Sequence, residues 1–403
     1  LLAKKVLYCA FATAVFAKIF LISSALPWLP DVAWNVRYQL FRVSAFTWPG
    51  ADARNIQVAA YCAKQGFPYF GSNSCQDAAV PLRANYPEAN APVLNYPSLW
   101  PRVYGLFDDF SETFFMRFWY LNAWLLVAAF FILSVKYNYR SLALFLFSPV
   151  SLLAVERGNI DATTFFVTFV PLVAFAFSRR LQSFFLGVAA AMKIFPACAY
   201  LALTKRTFPF VTKDIVLGFV LALPLIISSF LEIPAMVGPT TQSFTGSYGL
   251  LSLLKSPVFS DQKLLGQAIV GGFLVAFAGC IILLLRSGRM RSAVRRNLES
   301  LQTNDLIVLL ASASIFLCTF FLFISWAYRL IFVAPIFFVL SLKSCAFNNL
   351  VRATILAIFW LPLAPGGWSL SNLMCFPLAI LVGITAVACW DVLSSREELR
   401  PSL

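Results

Sequence analysis

The sequence contains no histidine. That removes the imidazole base, His-ligated metal centres and His-ligated haem together. Charge is also scarce, at 12% of 403 residues against 60% hydrophobic. A soluble chain needs about twice that share to solvate its surface, so a soluble globular domain is excluded. The two halves lack evident sequence similarity, and no inverted repeat of the transporter kind is visible. A small-residue cleavage site is missing after the first apolar block, Val6 to Leu26, so with Lys4 and Lys5 before it the block reads as a retained helix. The chain starts at Leu1 rather than Met, and residues before it are expected.

What fills the sequence instead is long apolar blocks and 42 Phe. Val6 to Leu26, Phe114 to Val135, Ile215 to Leu231, Leu264 to Leu285 and Asn372 to Trp390 approach or reach the roughly 20 helical residues that cross a bilayer. The net charge of +14 does not indicate nucleic acid here, because Lys and Arg collect in the cytoplasmic loops of membrane proteins. The cluster Arg286, Arg289, Arg291, Arg295 and Arg296 is the strongest of these. Most of the nine Cys lie in apolar stretches, where they behave as small hydrophobes. Cys62 and Cys75 share one loop and can pair in an oxidising compartment, although spacing does not fix disulfide geometry.

Placing every basic cluster inside gives one topology. The N-terminus is inside, and the first helix leads to a long outer loop, 27–112. Helix two lands on Lys136 and Arg140. Helix three (Leu142 to Val155) leads out to Glu156-Arg157-Gly158-Asn159-Ile160-Asp161, and helix four returns to Arg179 and Arg180. Segment 181–204 has basic pairs at both ends (Arg179/Arg180 and Lys205/Arg206), so it reads as a hairpin of two short helices broken near Lys193-Ile194-Phe195-Pro196. A second outer loop spans 232–263, in which Gln242 to Tyr248 is polar and serves either as a lid or as a connector. Leu306 to Ser325 leads out to Trp326-Ala327-Tyr328-Arg329, and Leu330 to Leu342 returns to Lys343. A short exit after Arg352 reaches a Gly366-Gly367-Trp368 turn, and the last helix ends inside at Arg396 and Arg400. The expected fold is a single all-α polytopic transmembrane domain, 1–403, of about twelve helices.

Charged groups at membrane depth or at its rim are costly, so each is a functional candidate. This topology brings Asp52, Arg54, Glu156, Arg157, Asp161, Lys193 and Arg329 towards the outer face. Carboxylates and cations around one cavity suit a reaction of a phosphate with a proton transfer. Plainer readings stand beside these. Asp52 can cap a helix or pair with Arg54, Glu156 can pair with Arg157, Asp161 can cap helix four, and Lys193 can snorkel. Trp326 and Tyr328 are equally interface aromatics and sugar platforms.

Three stretches carry a resemblance. One is Gly50-Ala51-Asp52, Tyr61, Gly66-Phe67-Pro68-Tyr69 and Asn95-Tyr96-Pro97. Another is Glu156-Arg157-Gly158-Asn159-Ile160-Asp161 followed by Gly187 to Pro196. The third is Tyr328-Arg329-Leu330 before Pro335. In order and spacing they resemble the GT-C class of membrane glycosyltransferases, in particular family 87, which includes polyprenyl-phosphate-mannose-dependent mannosyltransferases. The resemblance implies a GT-C-like bundle that transfers a hexose from a polyprenyl-phosphate donor to a lipid-linked or glycan acceptor. The reaction would take place on the outer side of what is expected to be a bacterial inner membrane. It implies an outer-loop Asp as catalytic base, which by position is Asp52, with Asp31 as its rival. Commoner members often have Gly-Gln where this chain has Arg157-Gly158-Asn159, so the sugar is left open.

The residues agree with that role. A carboxylate can take the acceptor's proton, and Lys193 and Arg329 can stabilise the leaving phosphate. Arg54, Glu156, Arg157, Asn159, Asp161, Tyr96, Trp326 and Tyr328 complete the expected substrate site. The expected partners are donor, acceptor and membrane lipids, with no nucleic acid, cofactor or metal. A transporter or flippase of lipid-linked sugars is the competing expectation.

Overall fold

The structure is a computed structural model, and it describes residues 2–24, 51–67, 97–204, 212–232, 247–250, 263–322, 325–361 and 370–398. Asp31, Cys75, Tyr96, the Gly366-Gly367-Trp368 turn and most of the 232–263 loop lie outside them. The helices, in chain order, begin with α1 (Leu2–Ser24), α2 (Ala51–Lys64), α3 (Leu99–Gly105) and α4 (Glu112–Lys136). Next come α5 (Leu142–Leu146), α6 (Pro149–Arg157), α7 (Asp161–Ala174), α8 (Arg179–Met192) and α9 (Lys213–Leu231). The remainder are α10 (Lys263–Arg286), α11 (Gly288–Glu299), α12 (Thr303–Leu322), α13 (Ala334–Leu340), α14 (Ala346–Trp360) and α15 (Leu370–Glu398). Short 3₁₀ segments at Tyr139–Ser141, Phe195–Leu203 and Ala327–Val333 connect some of them. One antiparallel strand pair, β1 (Ser247–Tyr248) with β2 (Ser325–Trp326), interrupts an otherwise helical fold among the described residues.

Sequence determines where the helices start and stop. Ser111 opens α4 by accepting the Phe114 N–H, with Glu112 in the first turn and Lys136 in the last, so both ends complement the helix dipole. Just before it, hydrogen bonds from Ser111 hold the half-buried Asp109 carboxyl below the usual range. The 25 residues of α4 make about 37 Å of helix, enough to cross a bilayer. The expected third helix, Leu142 to Val155, is instead two helices bent by 60°. Ser148 caps the second helix and Pro149 occupies its first turn, where the missing N–H of proline does no harm but ends the preceding ladder. After α8 the chain leaves helical geometry at Lys193 and folds back. Tyr200 then reaches the Ser183 carbonyl near the start of α8, at 2.5 Å.

Five helices are long and apolar enough to cross a membrane, or six if the bent pair counts as one span. The chain is therefore a helical integral membrane protein. The largest side chains of its core are mostly phenylalanine. Phe130, Phe145, Phe165, Phe169, Phe332, Phe337 and Phe338 are fully buried, with centroid separations such as 4.8 Å for Phe145–Phe338 and 5.5 Å for Phe165–Phe332. α12 is the central helix, with 78% of its apolar stretch buried, whereas α10 has 11% buried and faces outward.

Polar contacts gather at the two ends of this core. At one end Lys136 and Tyr137 meet Asp305, Gln182 meets Asn304 and the Leu172 carbonyl, and Arg291 meets Asp391. Lys136, Arg291 and Arg396 thus share an end. Asp52, Arg157, Asp161 and Lys193 form a chain of contacts at the other, where α7 begins and α4 begins.

Small residues allow α8 and α9 to approach closely, as is usual where helices pack in lipid. A Cβ on Gly187 would collide with Ala222, and one on Gly218 with the Arg180 carbonyl. Gly271, on α10, has open space around it. Gly187→Leu should destabilise the protein by about 1–3 kcal/mol or more through overpacking, read as a lower unfolding temperature in detergent. Gly271→Leu should leave that temperature unchanged, and equal loss from both variants would show that the helix contact is not as tight as described.

Candidate active site

The site is built at a helix end that favours glycine. Gly158 closes α6 in the left-handed conformation, φ 59° and ψ 33°. The Gly158 N–H donates to the Val155 carbonyl and the Asn159 N–H to the Ala154 carbonyl. This turn places Arg157 and Asn159 on the same partner, Asp52, in the first turn of α2. Arg157 Nη2 lies 2.6 Å from Asp52 Oδ1 and Asn159 Nδ2 donates to Oδ2. Asp52 is 4% exposed. Its carboxylate is thus an anion held by one guanidinium, one amide and the positive end of α2.

Asn159 is the hub. While its amide nitrogen donates to Asp52, its oxygen accepts from the Asp161 N–H at 2.8 Å and from Lys193 Nζ at 3.3 Å. Asn159 therefore also satisfies an orphan donor at the start of α7. Asp161 follows, fully buried, between two cations. Lys193 Nζ is 2.6 Å from Oδ1, close enough for an ion pair but without the angle of a directed hydrogen bond, and Arg329 Nε is 3.3 Å from Oδ2. The Arg329 guanidinium also stacks 5.4 Å from the Phe195 ring centroid. Two carboxylates and three cations thus form one continuous chain of contacts, Arg157–Asp52–Asn159–Lys193–Asp161–Arg329.

The plainer pairing of Asp52 is revised by this geometry. Asp52 pairs with Arg157 rather than Arg54. Arg54 instead meets Glu112 at 2.8 Å and Gln57 at 2.6 Å, and lies 3.5 Å over the Phe115 ring. Arg54 thereby joins α2 to α4, two residues from Asp52. Glu156 is buried at 7% exposure. Trp326 pairs through its backbone with Ser247, and Tyr328 precedes Arg329 in the 3₁₀ segment. Cys62 is disulfide-bonded. Among the described residues no three Cys, Asp or Glu side chains group as a metal site.

Several supporting residues escaped the sequence reading. Trp100 Nε1 donates to the Met192 carbonyl at 3.1 Å, fixing the chain just before Lys193. Trp119 Nε1 donates to the Val155 carbonyl at 2.6 Å, fixing the turn that presents Arg157. Glu232 accepts from Ser98 at the start of α3. Their available signals were generic ones: tryptophans beside a helix boundary, and an acid after an apolar span.

No protein-family model matches the chain, and no curated protein or solved structure matches it.

Removing Arg157 alone should strand the buried Asp52 charge. Arg157→Met is expected to cost about 3–5 kcal/mol, and adding Asp52→Asn should recover much of that loss. A double-mutant cycle in detergent checks this. Simple additivity of the two changes would mean that the pair is not coupled.

Proposed function

We propose that the protein is a polyprenyl-phosphate-sugar-dependent hexosyltransferase. The observation that carries this reading is the contact chain itself: one buried carboxylate, Asp52, linked through Asn159 to a second carboxylate that two cations share. In the proposed reaction an acceptor hydroxyl loses its proton to Asp52, and its oxygen attacks the anomeric carbon. The bond from that carbon to the donor phosphate oxygen breaks, and polyprenyl phosphate leaves with the electron pair. Attack opposite the leaving group makes the transfer inverting. Each Asp52 oxygen has a second lone pair beyond the one given to Arg157 or Asn159, so it can accept the proton without first breaking those bonds. An ammonium has three donors and a guanidinium five, so Lys193 and Arg329 can hold Asp161 and a phosphate together.

We read the site as outward-facing because Lys136, Arg291 and Arg396 share the opposite end and such basic groups stay in the cytoplasm; the membrane we propose is the inner membrane of a bacterium. On this reading, α1, α7, the two arms around Lys193, the pair formed by the 327–333 segment with α13, and α14 also cross, some of them as short helices held by neighbours. The crossings then come to about twelve, in a GT-C-like bundle. Trp326, Tyr328 and Tyr96 belong to the proposed substrate surface, and a lipid-linked or glycan hydroxyl is the acceptor. The polar contacts at the two ends are separated by the apolar core, which favours transfer over flipping, since a flippase needs a polar path through both leaflets.

Purified protein in lipid, given a radiolabelled polyprenyl-phosphate hexose, should move label to a new product. Label that only crosses the bilayer would assign a flippase instead. Asp52→Asn should slow turnover by roughly 10²–10⁴-fold, while Lys193→Ala and Arg329→Ala should weaken donor use. Asp31→Asn is the control for the rival base. Full activity in Asp52→Asn would remove that residue from the chemistry.

Sidedness is checked separately. Cysteines placed at Lys64 and Arg296 should react with a membrane-impermeant thiol reagent from opposite sides, outside and cytoplasmic respectively. Labelling of both from one side would break the proposed orientation.

A further inference from the structure

A second charged surface lies at the other end of the protein. α10 is the most outward-facing span, with Leu264, Val275 and Leu283 well exposed, so lipid chains must cover it. Its apolar surface ends at Leu285; Arg286 follows, exposed, and after Ser287 alone α11 begins. α11 is fastened to α15 along one face. Arg291 Nη2 is 2.8 Å from Asp391 Oδ2, Arg295 Nη2 is 3.2 Å from Ser395 Oγ, and Val294 and Leu298 are buried. The opposite face carries Arg289, Ser292, Ala293 and Arg296, all exposed, at the i, i+3, i+4 and i+7 spacing that aligns side chains on a helix. Arg289, Ser292 and Arg296, with Gly288, Arg295 and Glu299, line an open groove of about 820 Å³.

The arginines of the two faces are engaged differently. Arg291 is neutralised by Asp391 and Arg295 by Glu299, at 2.6 Å. Among the described residues no carboxylate pairs with Arg286, Arg289 or Arg296, and Arg296 Nε donates only to the Ser292 carbonyl of its own helix. These three cations stand within about three turns of the last lipid-covered residue of α10. A phospholipid whose chains lie on Leu283 and Leu285 therefore brings its phosphodiester to the level of Arg286 and Arg289, since four helical residues advance only about 6 Å, and Arg296 follows about two turns further along the same face. Guanidinium groups match phosphate oxygens in charge and geometry.

We infer that the Arg289–Arg296 face of α11, with Arg286, binds the headgroup of an anionic phospholipid from the adjoining leaflet. The groove is open rather than enclosed, and it continues the lipid-covered surface of α10. Both features suit a headgroup tethered to the bilayer more than a phosphate in solution. This assignment does not depend on the proposed transferase activity.

The test uses the full chain in detergent, titrated with phosphatidylglycerol or with phosphatidylcholine of the same acyl chains, and native mass spectrometry to count bound lipid. Phosphatidylglycerol should be retained in preference. Arg289→Gln should weaken its apparent affinity about fivefold, and Arg289→Gln with Arg296→Gln more than tenfold, the scale of cationic residues at an anionic membrane surface. Arg102→Gln, at the opposite end of the protein, should retain wild-type affinity, and unfolding temperatures confirm that each variant is folded. Millimolar inorganic phosphate should leave the bound lipid in place. Unchanged affinity in the folded double variant overturns the assignment, as does displacement by inorganic phosphate, which would make the groove a soluble-anion site.

Discussion

The ion pairs of Asp161 with Lys193 and Arg329 are the interaction on which the rest of the structure depends. A fully buried carboxylate in an apolar bundle is tolerable only with cations against it, since the cost of removing an isolated charge from water runs to many kcal/mol. Meeting that requirement draws together three parts of the chain: the start of α7, the break after α8, and the 3₁₀ segment after β2. Each is a place where regular helix stops. The irregular backbone therefore lies in protein, beside the charges it presents, and not against lipid. Phe195 extends the same logic, because its ring gives the Arg329 guanidinium a polarisable surface in place of water.

Much of this was readable from sequence because membranes simplify the rules. Apolar runs such as the one in α4 are long, and their ends are marked by Ser111 and Lys136. The break at Lys193 was visible from the Pro196 that follows it and from basic pairs flanking the segment. The bend at Pro149 was missed because Leu142 to Val155 was read by its hydropathy, which does not register the missing backbone donor at the Ser148-Pro149 pair. Partner choice was the least legible. Asp52 lies two residues from Arg54, so sequence proximity suggested a pair, yet residues two apart on a helix point to different faces. Arg54 turns to Glu112, 58 residues on, and Asp52 to Arg157, 105 residues on. Contacts at such separations follow from how helices pack, which no local pattern encodes.

Asn159 shows why a neutral residue is used in the middle of a charged chain. Its amide gives a donor to the Asp52 carboxylate and an acceptor to the Lys193 ammonium at once. A carboxylate there would repel Asp52, and a cation would repel Lys193. The amide joins the two charged pairs without adding charge, and by capping α7 it fixes where Asp161 begins the helix. Its position is itself set by the left-handed Gly158, so one backbone conformation orients both Arg157 and Asn159.

On the proposed reading, this layout matches the direction in which charge must move. The donor arrives as a phosphodiester with one negative charge and departs as a monoester with about two. Asp52 meanwhile loses its charge on taking the acceptor proton. Negative charge therefore passes from the Arg157 end of the chain towards Lys193 and Arg329, with the neutral Asn159 bridging Asp52 to Lys193. Cations fixed where charge develops lower the barrier more than cations that merely bind the ground state. Asp161 limits that gain, because it already neutralises part of their charge. It also keeps two cations ordered in an apolar setting before any phosphate arrives, and that ordering is what preorganisation requires. The site thus trades some attraction for the resting donor against a scaffold already in place when the anomeric bond breaks.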